Sequence, residues 1–351
     1  MNIYKNSSFL SRIWSWRFKI TLLILKILIF SFRFLRIPGQ SFLTELLQVL
    51  KFCHYPLERP TFYVTRYVEI PLGLSSLRCN IQESILDLGS GASPLPLYLK
   101  YCDRKVIAFD YSLEELRKLK TLSQYDTDDP KPLTLISGDL RKLPFHSNTF
   151  DKIFCISTIE HIPGNGDTES MMEIWRILKP GGCLFLSTEF EQIESVTWTQ
   201  HKESGGVEYW NEYSQEKNET KKHLLFCRRY SPKSFEQRIL QSAPWKIKNQ
   251  GIFSKPVWMR QWYDIDQESK FKVLLDFLAP LTAIFFMLFK NPLAKQCPQG
   301  SFGFAVLEKM TGKDGEKSER RERERERAAG KTFVNKRFPK PFQKTLIEEH
   351  H

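Results

Sequence analysis

The sequence lacks any cysteine pairing pattern. Its seven cysteines stand singly, they are odd in number, and none belongs to a Cys-x-x-Cys pair. Structural zinc sites and disulfide frameworks both need paired or closely spaced cysteines. We therefore expect no metal and no disulfide scaffold, and the composition suits a reducing compartment.

No apolar run is long enough to cross a bilayer readily. The longest run near the start covers residues 20–32 and has Lys26 in its middle. A transmembrane helix needs roughly 20 apolar residues, and a central lysine costs about 2.5–3.5 kcal/mol. A second apolar stretch, residues 277–289, is interrupted by Pro280. Spanning is therefore disfavoured for the first stretch. The second is interpreted as a buried cap helix or, together with the first, as part of one lipid-facing or substrate-facing surface.

Acidic residues are missing from the start of the chain. The first 44 residues contain seven Lys or Arg side chains, and the first acid is Glu45. A basic, aromatic and apolar segment of this kind is typical of a helix that lies in a membrane interface. We predict this role for residues 1–44, at the cytoplasmic membrane face. A helix docked on its own domain, a cleaved organellar presequence and an unusual membrane anchor stay open as alternatives.

The net charge of +12 does not lie over the centre of the chain. Residues 81–190 contain 12 Lys and Arg against 16 Asp and Glu. Because nucleic-acid binding needs a basic surface on the domain itself, we expect no nucleic-acid partner. Residues 311–351 are dense in charge and poor in apolar side chains, so they are predicted to form a disordered tail.

Between these flanks, short apolar runs alternate with helical patterns. The runs are almost continuously apolar, as expected for a parallel sheet that is covered on both faces. This alternation predicts an α/β, Rossmann-like doubly wound fold with ligands at the carboxyl ends of the strands. Ser93 before Pro94, and Ser112 with Glu115, indicate helix starts. The predicted strands are residues 84–88, 105–110, 133–137, 152–157 and 183–187.

The first predicted strand ends in an acid and a glycine turn, Asp87-Leu88-Gly89-Ser90-Gly91. The two glycines lack Cβ atoms, so a ligand can lie against bare backbone there. Asp110 closes the second strand 19 residues after Gly91, where an acid can accept hydrogen bonds from both ribose hydroxyls. The pattern indicates a nucleoside site.

Asp139 follows the third predicted strand, in the segment GDLRKLPF. There it can accept a hydrogen bond from the adenine amine. Any one of the acids could be a helix cap, but three loops that bring acids or glycines to the same sheet edge favour a common ligand. The nearest rival is a nicotinamide-binding domain, whose G-x-G-x-x-G motif would need a glycine at Pro94.

Five motifs together resemble those of the class I S-adenosylmethionine-dependent methyltransferases, above all the members that methylate small molecules and lipid quinones. The resemblance covers about a third of the chain and implies a mostly parallel seven-stranded sheet, with an antiparallel last strand near residues 301–308. It also implies S-adenosyl-L-methionine as the cofactor. Ser93 departs from the pattern, since many members have a third glycine there. The motifs are DLGSGAS, VIAFD, GDLRKLPF, FDKIFCISTIEHI and EIWRILKPGGCLFLS.

The resemblance also implies roles for individual residues. The glycine turn would surround the methionine portion of the cofactor, the ends of the second and third strands would hold ribose and adenine, and the end of the fourth would face the substrate side. In that order the residues are Asp87, Gly89, Ser90 and Gly91; Asp110 and Tyr111; Asp139 and Leu140; and Ser157.

Methyl transfer from a sulfonium mainly needs alignment and exclusion of water. If the acceptor is a phenol, enol or hydroxyl, a base must also remove its proton. His161 is the first candidate for that base, with a hydrogen-bonded packing role as the alternative. Glu160 is interpreted as a structural residue that orients the loop, and His201 is a weaker candidate.

We divide the chain into the basic segment 1–44, a methyltransferase domain 45–310 and the tail 311–351. The predicted acceptor is a small or lipid-linked molecule, such as a quinone precursor or glycolipid. A soluble metabolite, with the apolar segments folded back as a cap, stays open, and so does a non-catalytic cofactor-binding module. Arg228 and Arg229 would hold a phosphate or carboxylate, or form a solvated turn. Within the domain lie the cofactor-binding core 84–190, a substrate-cover insertion 189–230 and an apolar cap segment 271–294.

Overall fold

The computed structural model describes ten stretches of the chain. The predictions for the apolar stretch 277–289 and for the charged tail beyond residue 311 lie outside them, as do those for almost all of residues 1–39. Among the described residues, no helix has the length and apolarity needed to cross a membrane. The described residues are 23–24, 26–27, 30, 40–54, 66–124, 132–201, 207–213, 224–253, 290–291 and 301–311.

The described structure contains eleven β-strands in two sheets. They form an eight-stranded sheet in the order β10-β9-β11-β5-β4-β1-β2-β3 and a smaller sheet in the order β7-β6-β8. In chain order they are β1 (Ser84–Leu88), β2 (Lys105–Asp110), β3 (Thr134–Ser137), β4 (Phe150–Ile156), β5 (Leu178–Phe190), β6 (Ser195–His201), β7 (Val207–Tyr213), β8 (Leu224–Arg229), β9 (Trp245–Phe253), β10 (Lys290–Asn291) and β11 (Ser301–Lys309).

The large sheet is mostly parallel. Strand β1 pairs in parallel with β2 and β4, and the same direction continues to β3 and β5. Strand β11 runs antiparallel to both β5 and β9. The predicted seven-stranded sheet with an antiparallel last strand is thus confirmed, and the two-residue β10 extends its edge. The strand order reverses between β1 and β4, which is where doubly wound folds bind ligands.

Helices cover the sheet, and its core has two apolar layers. Neighbouring residues such as Ile85 and Leu86, or Ile153 and Phe154, belong to opposite layers because successive strand side chains point to opposite faces. Both layers are buried, which explains the continuous apolar runs in the sequence. The helices are α1 (Gln40–His54), α2 (Arg66–Leu77), α3 (Leu95–Tyr101), α4 (Leu113–Gln124), α5 (Gly166–Ile177) and α6 (Pro232–Phe235).

The starts of two helices follow the predicted chemistry. The Ser112 hydroxyl accepts a hydrogen bond from the Glu115 amide at 3.3 Å. The Ser93 hydroxyl accepts one from the Leu95 amide at 3.2 Å. The N-cap position of α3 is Pro94, and the Ser93 hydroxyl accepts a hydrogen bond from an amide of the first turn from the position before it, so a serine suits the place where a third glycine is common.

The segment predicted to cover the substrate forms the smaller, fully antiparallel sheet β7-β6-β8. It joins the large sheet where Phe190 and Tyr230 form an isolated bridge. Its position after β5 lets it contact the loop that follows β4, as the hydrogen bond between His161 and Phe226 shows.

Candidate functional site

The carboxyl ends of β1, β2, β3 and β4 meet at one edge of the sheet. The turn after β1 is anchored to β2, because the Gly89 and Ser90 amides donate to the Phe109 carbonyl at 2.8 and 3.1 Å. The end of β2 is anchored to β3 in the same way, since the Gly138 amide donates to the Asp110 carbonyl at 3.1 Å. The three predicted loops are therefore brought together.

The two glycines of the turn both have left-handed backbones but differ in surroundings. A Cβ atom on Gly89, at φ +66°, would lie 2.1 Å from Cγ2 of Thr158, so this glycine admits the Thr158 side chain. A Cβ atom on Gly91, at φ +50°, would meet only Oε2 of Glu115, at 4.0 Å. Open space beside Gly91 is what a ligand lying on the turn requires.

Asp110 fastens the turn to the second strand. Its Oδ2 accepts a hydrogen bond from the Gly91 amide and its Oδ1 accepts one from the Ser112 amide, both at 2.7 Å. Each carboxylate oxygen has a further lone pair. Asp110 can thus hold the backbone and still accept from ribose hydroxyls.

Two side chains of the turn are buried without hydrogen-bond partners in the described structure. These are Oδ2 of Asp87 and the hydroxyl of Ser90. Burial raises the pKa of Asp87 to about 8, the nearby Asp110 adds to the rise, and Arg66 opposes it. Buried polar groups that lack partners are expected where a ligand completes the hydrogen bonding.

At the predicted adenine end, Asp139 is partly exposed and paired with Arg141. The guanidinium donates to both of its carboxylate oxygens, the shortest contact being 2.6 Å. These hydrogen bonds lower the pKa of Asp139. The side chain of Tyr111 is largely exposed, whereas that of Leu140 is buried in the core, so only the backbone of Leu140 is available to a ligand.

Ser157 lies at the end of β4 with a left-handed backbone, at φ +44°. This conformation explains why β4 ends one residue earlier than predicted. Its hydroxyl donates to Oε1 of Glu69 at 2.7 Å, and the Ser187 hydroxyl donates to the same oxygen at 2.8 Å. Arg66 donates to Oε2 of Glu69. Helix α2 therefore supplies the carboxylate of Glu69, which links the ends of β4 and β5, and the guanidinium of Arg66, which pairs with it.

The sequence analysis missed Arg66 and Glu69. They lie before the first motif and belong to none of the five motifs. The available indication was an Arg and a Glu three residues apart in the otherwise apolar segment RYVEIPLGL, since such charges are rarely buried unless paired.

The two candidate residues after β4 differ in environment. His161 is exposed, and its Nδ1 contacts the carbonyl oxygen of Phe226 on β8. Glu160 is 1% exposed, and neither of its carboxylate oxygens has a hydrogen-bond partner in the described structure. Burial raises the pKa of Glu160 to about 8; its own backbone amide and Arg66 oppose the rise, while Glu189 and Glu69 add to it. Of the side chain of His201, the structure describes nothing.

Arg228 and Arg229 are paired with acids of the protein. Arg228 lies 3.3 Å from Asp167, and Arg229 lies 2.9 Å from Glu189. Neither forms a solvated turn, because both belong to β8. Their guanidinium groups stabilise the small sheet against its surroundings.

The site fits S-adenosyl-L-methionine in two respects. There is open space beside Gly91, and the buried acceptor of Asp87 has no partner among the described residues. Asp110, Tyr111 and Asp139 lie on adjoining loops, where a nucleoside would meet all three. The structure thus brings the predicted cofactor residues to one edge of the sheet, their role in binding stays a prediction, and Gly89 packs on Thr158.

Residues 86–186 match a protein-family model described as a methyltransferase domain. Over 112 residues the chain is 32% identical to the sterol 24-C-methyltransferase of Pneumocystis carinii, covering 32% of this chain and 29% of that protein. Over 100 residues it is 31% identical to sterol 24-C-methyltransferase ERG6 of Saccharomyces cerevisiae, covering 28% and 25%. The chain thus spans less than a third of the length of these curated relatives.

A solved structure, a SAM-dependent methyltransferase from Methanosarcina mazei, is similar with a TM-score of 0.42 and 14% identity, covering 66% of this chain and 94% of that one. The matched family model and the order of the strands in the large sheet indicate the same class of protein. Residues 86–186 form a class I S-adenosylmethionine-dependent methyltransferase domain, and the cofactor of such a domain is S-adenosyl-L-methionine.

Proposed function

We propose that this protein transfers the methyl group of S-adenosyl-L-methionine to a small or lipid-like acceptor by direct displacement. The observation that carries the proposal is the cradle formed by Asp110, the open face of Gly91 and the unpartnered Asp87. When bound, the cofactor supplies a methyl group on a positively charged sulfur. The protein then has to bind, orient and exclude water.

The position of each site residue indicates which part of the cofactor or acceptor it would bind. Asp110 holds the ribose end against the glycine turn, while Asp87 and Ser90 lie on the methionine side. Ser157, fixed by Glu69, lies at the end of β4, where the acceptor would approach. The small sheet β7-β6-β8 lies next to that end and would exclude water from it.

A lipid-like acceptor is the finer part of the proposal. It is supported by the names of the relatives, several of which are sterol methyltransferases. It is also supported by the two apolar stretches of the sequence, residues 20–32 and 277–289. A soluble acceptor is the competing possibility.

The cofactor part is tested by calorimetry. We expect S-adenosyl-L-methionine to bind and NAD not to bind. Asp110→Ala should weaken binding about 10- to 100-fold, because a hydrogen bond to a charged group contributes about 1.5–3 kcal/mol. Glu114→Ala, which removes an exposed acid nearby, serves as the control. NAD binding, or equal affinity in both variants, would contradict the assignment.

The acceptor part is tested with radiolabelled cofactor. The full chain is incubated with a mixed lipid extract and, separately, with an aqueous metabolite extract. Label is expected in the lipid fraction only. Label in the aqueous fraction would favour a soluble acceptor, and no label in either would favour a non-catalytic module.

Membrane attachment is a separate proposal, which rests on the basic residues 1–44. The full chain should float with vesicles that contain anionic lipid and not with neutral ones, since attraction to acidic headgroups contributes about 1 kcal/mol per Lys or Arg. Lys19→Glu combined with Lys26→Glu should reduce flotation. Equal flotation on both kinds of vesicle would contradict the electrostatic part of the proposal.

A further inference from the structure

Three buried carboxylates act on one guanidinium next to the cofactor site, and one of them, Glu69, contacts it. Arg66 is attracted by Glu69, Glu160 and Asp87, and these acids raise its pKa although burial acts to lower it. Only Glu69 is satisfied, by Arg66, Ser157 and Ser187. Asp87 and Glu160 keep unpartnered oxygens in the described structure, although they are 3% and 1% exposed.

The surroundings of Glu160 offer little further positive charge. Glu189 on β5 lies nearby and is itself paired with Arg229 at 2.9 Å. The other titratable neighbours are thiols, a phenol and a carboxyl, apart from the adjacent His161, whose Nδ1 contacts Phe226. The charged and titratable groups around Glu160 are Arg66 and Glu69 from α2, Cys155 from β4, His161, Glu189 from β5, and Cys227 and Tyr230 at β8.

Three carboxylates and one guanidinium cannot all be ionised cheaply in a buried place. An unpaired buried carboxylate costs several kcal/mol, and such a group holds a proton instead. Burial accordingly raises the pKa of both Asp87 and Glu160 to about 8. Around neutral pH the cluster therefore holds protons until further positive charge arrives.

We propose that Asp87 and Glu160 release a proton when the positively charged cofactor binds and take one up when its charge is lost. This inference rests on the proposed function, because the charge in question is that of the sulfonium. Positive charge beside a carboxylate stabilises the ionised form. Glu160 would thus become a base only when the methyl donor is in place.

The proton and electron balance of the transfer is complete. The bond between sulfur and the methyl carbon breaks, and its electron pair stays on sulfur, which becomes neutral. The acceptor atom forms the new bond to carbon and loses its proton. Glu160, ionised until then, takes that proton as the positive charge disappears, and releases it when the next donor binds. His161 is not needed for this step.

The proposal is tested by calorimetry without any acceptor. S-Adenosylmethionine and S-adenosylhomocysteine are each titrated into the full chain at pH 7.5, in buffers of different ionisation enthalpy, to count the protons released. With a carboxyl pKa near 8, we expect the charged ligand to release about three-quarters of a proton more per titrating group than the neutral one.

Glu160→Gln should remove about half of that difference, because one of two groups no longer titrates. Glu236→Gln, which changes an exposed acid in the same way, should leave it intact. Ionisable groups of the ligands contribute equally in all variants and cancel. Should Glu160→Gln fail to fold, Asp87→Asn provides the same comparison.

The possible failures are distinguishable. If neither ligand binds, the proposed function fails together with the proton linkage. If both bind and the proton counts of the original protein and of Glu160→Gln are the same, only the linkage is overturned. A loss of the difference in Glu236→Gln as well would also overturn it, because the effect would then be a general charge effect.

Discussion

Gly89 and Gly91 belong to one motif but are required for different reasons. Gly89 admits the Thr158 side chain, which would lie 2.1 Å from any Cβ atom at that position. Gly91 adjoins open space and a backbone amide that donates to Asp110. One glycine therefore serves packing between β1 and β4, and the other serves the ligand.

Gly89→Ala is expected to lower the free energy of unfolding by about 2–5 kcal/mol. A left-handed backbone costs a residue with a Cβ atom about 1–2 kcal/mol, and crowding against Thr158 adds about 1–3 kcal/mol. Gly181→Ala is the matched control, because its φ is +81° with nothing within 4 Å of the added atom. Urea unfolding of both variants measures the difference, and equal losses would contradict the contact with Thr158.

At the residue scale, the position of a residue in the site could be predicted from the sequence where that residue belongs to a motif. Asp110 was predicted to end its strand and does so, facing the glycine turn. Glu69 could not be predicted in its role, because its partners Ser157 and Ser187 lie 88 and 118 residues away along the chain. No local pattern records contacts of that range.

The small sheet is held to helix α5 by one buried acid. Asp167 is 0% exposed and accepts a hydrogen bond from the Tyr230 hydroxyl at 2.8 Å. It also pairs with Arg228 at 3.3 Å and with Arg238 at 2.6 Å. The segment after β8 and the first turn of α5 are thus joined through a single carboxylate.

Asp167→Asn is expected to destabilise the protein by about 3–5 kcal/mol, because it leaves two guanidinium groups without their partner. Amide hydrogen exchange should accelerate more in β6 and β8 than in β1 and β2. Glu169→Gln changes an exposed acid in the same turn and should alter stability by at most about 0.5 kcal/mol. A uniform acceleration across both sheets would show that Asp167 does not act locally.

At the element scale, the parallel strands were predictable and the small sheet was less so. Runs such as VIAFD are apolar because both faces are covered, and this leaves a visible pattern. The segment 195–229 is rich in polar and charged residues and shows no comparable pattern, and Arg228 of β8 pairs with Asp167, 61 positions away along the chain. Only the resemblance to a family suggested a cover there.

In the molecule as a whole, two buried carboxyl groups have strongly raised pKa values. The pKa values of Asp87 and Glu160 lie near 8 in the folded state, far above their ordinary values of 3.8 and 4.5. Between those values the folded state binds more protons than the unfolded state, so this contribution to stability decreases as the pH rises. The lowered pKa of Asp139 or Glu173 acts only at more acidic pH.

Without cofactor, the melting temperature of the protein is therefore expected to fall between about pH 5 and 8. Lys309, whose pKa is lowered to about 8 mainly by burial, contributes above that window. Glu160→Gln should flatten the fall, while Glu236→Gln should not. Thermal unfolding at half-unit pH steps measures both slopes. A slope that is identical in the two variants would mean that Glu160 does not titrate in this range.

Strand β11 comes late in the chain yet lies between β5 and β9. A ribosome making this protein completes residue 253 and must add 47 more residues before residue 301 appears. At about 5–20 residues per second, that takes roughly 2–9 s. During this interval the edge of β5 that β11 occupies in the described structure is still without that strand, and such an edge can pair with other chains. We therefore expect molecular chaperones to bind the nascent chain most during this period.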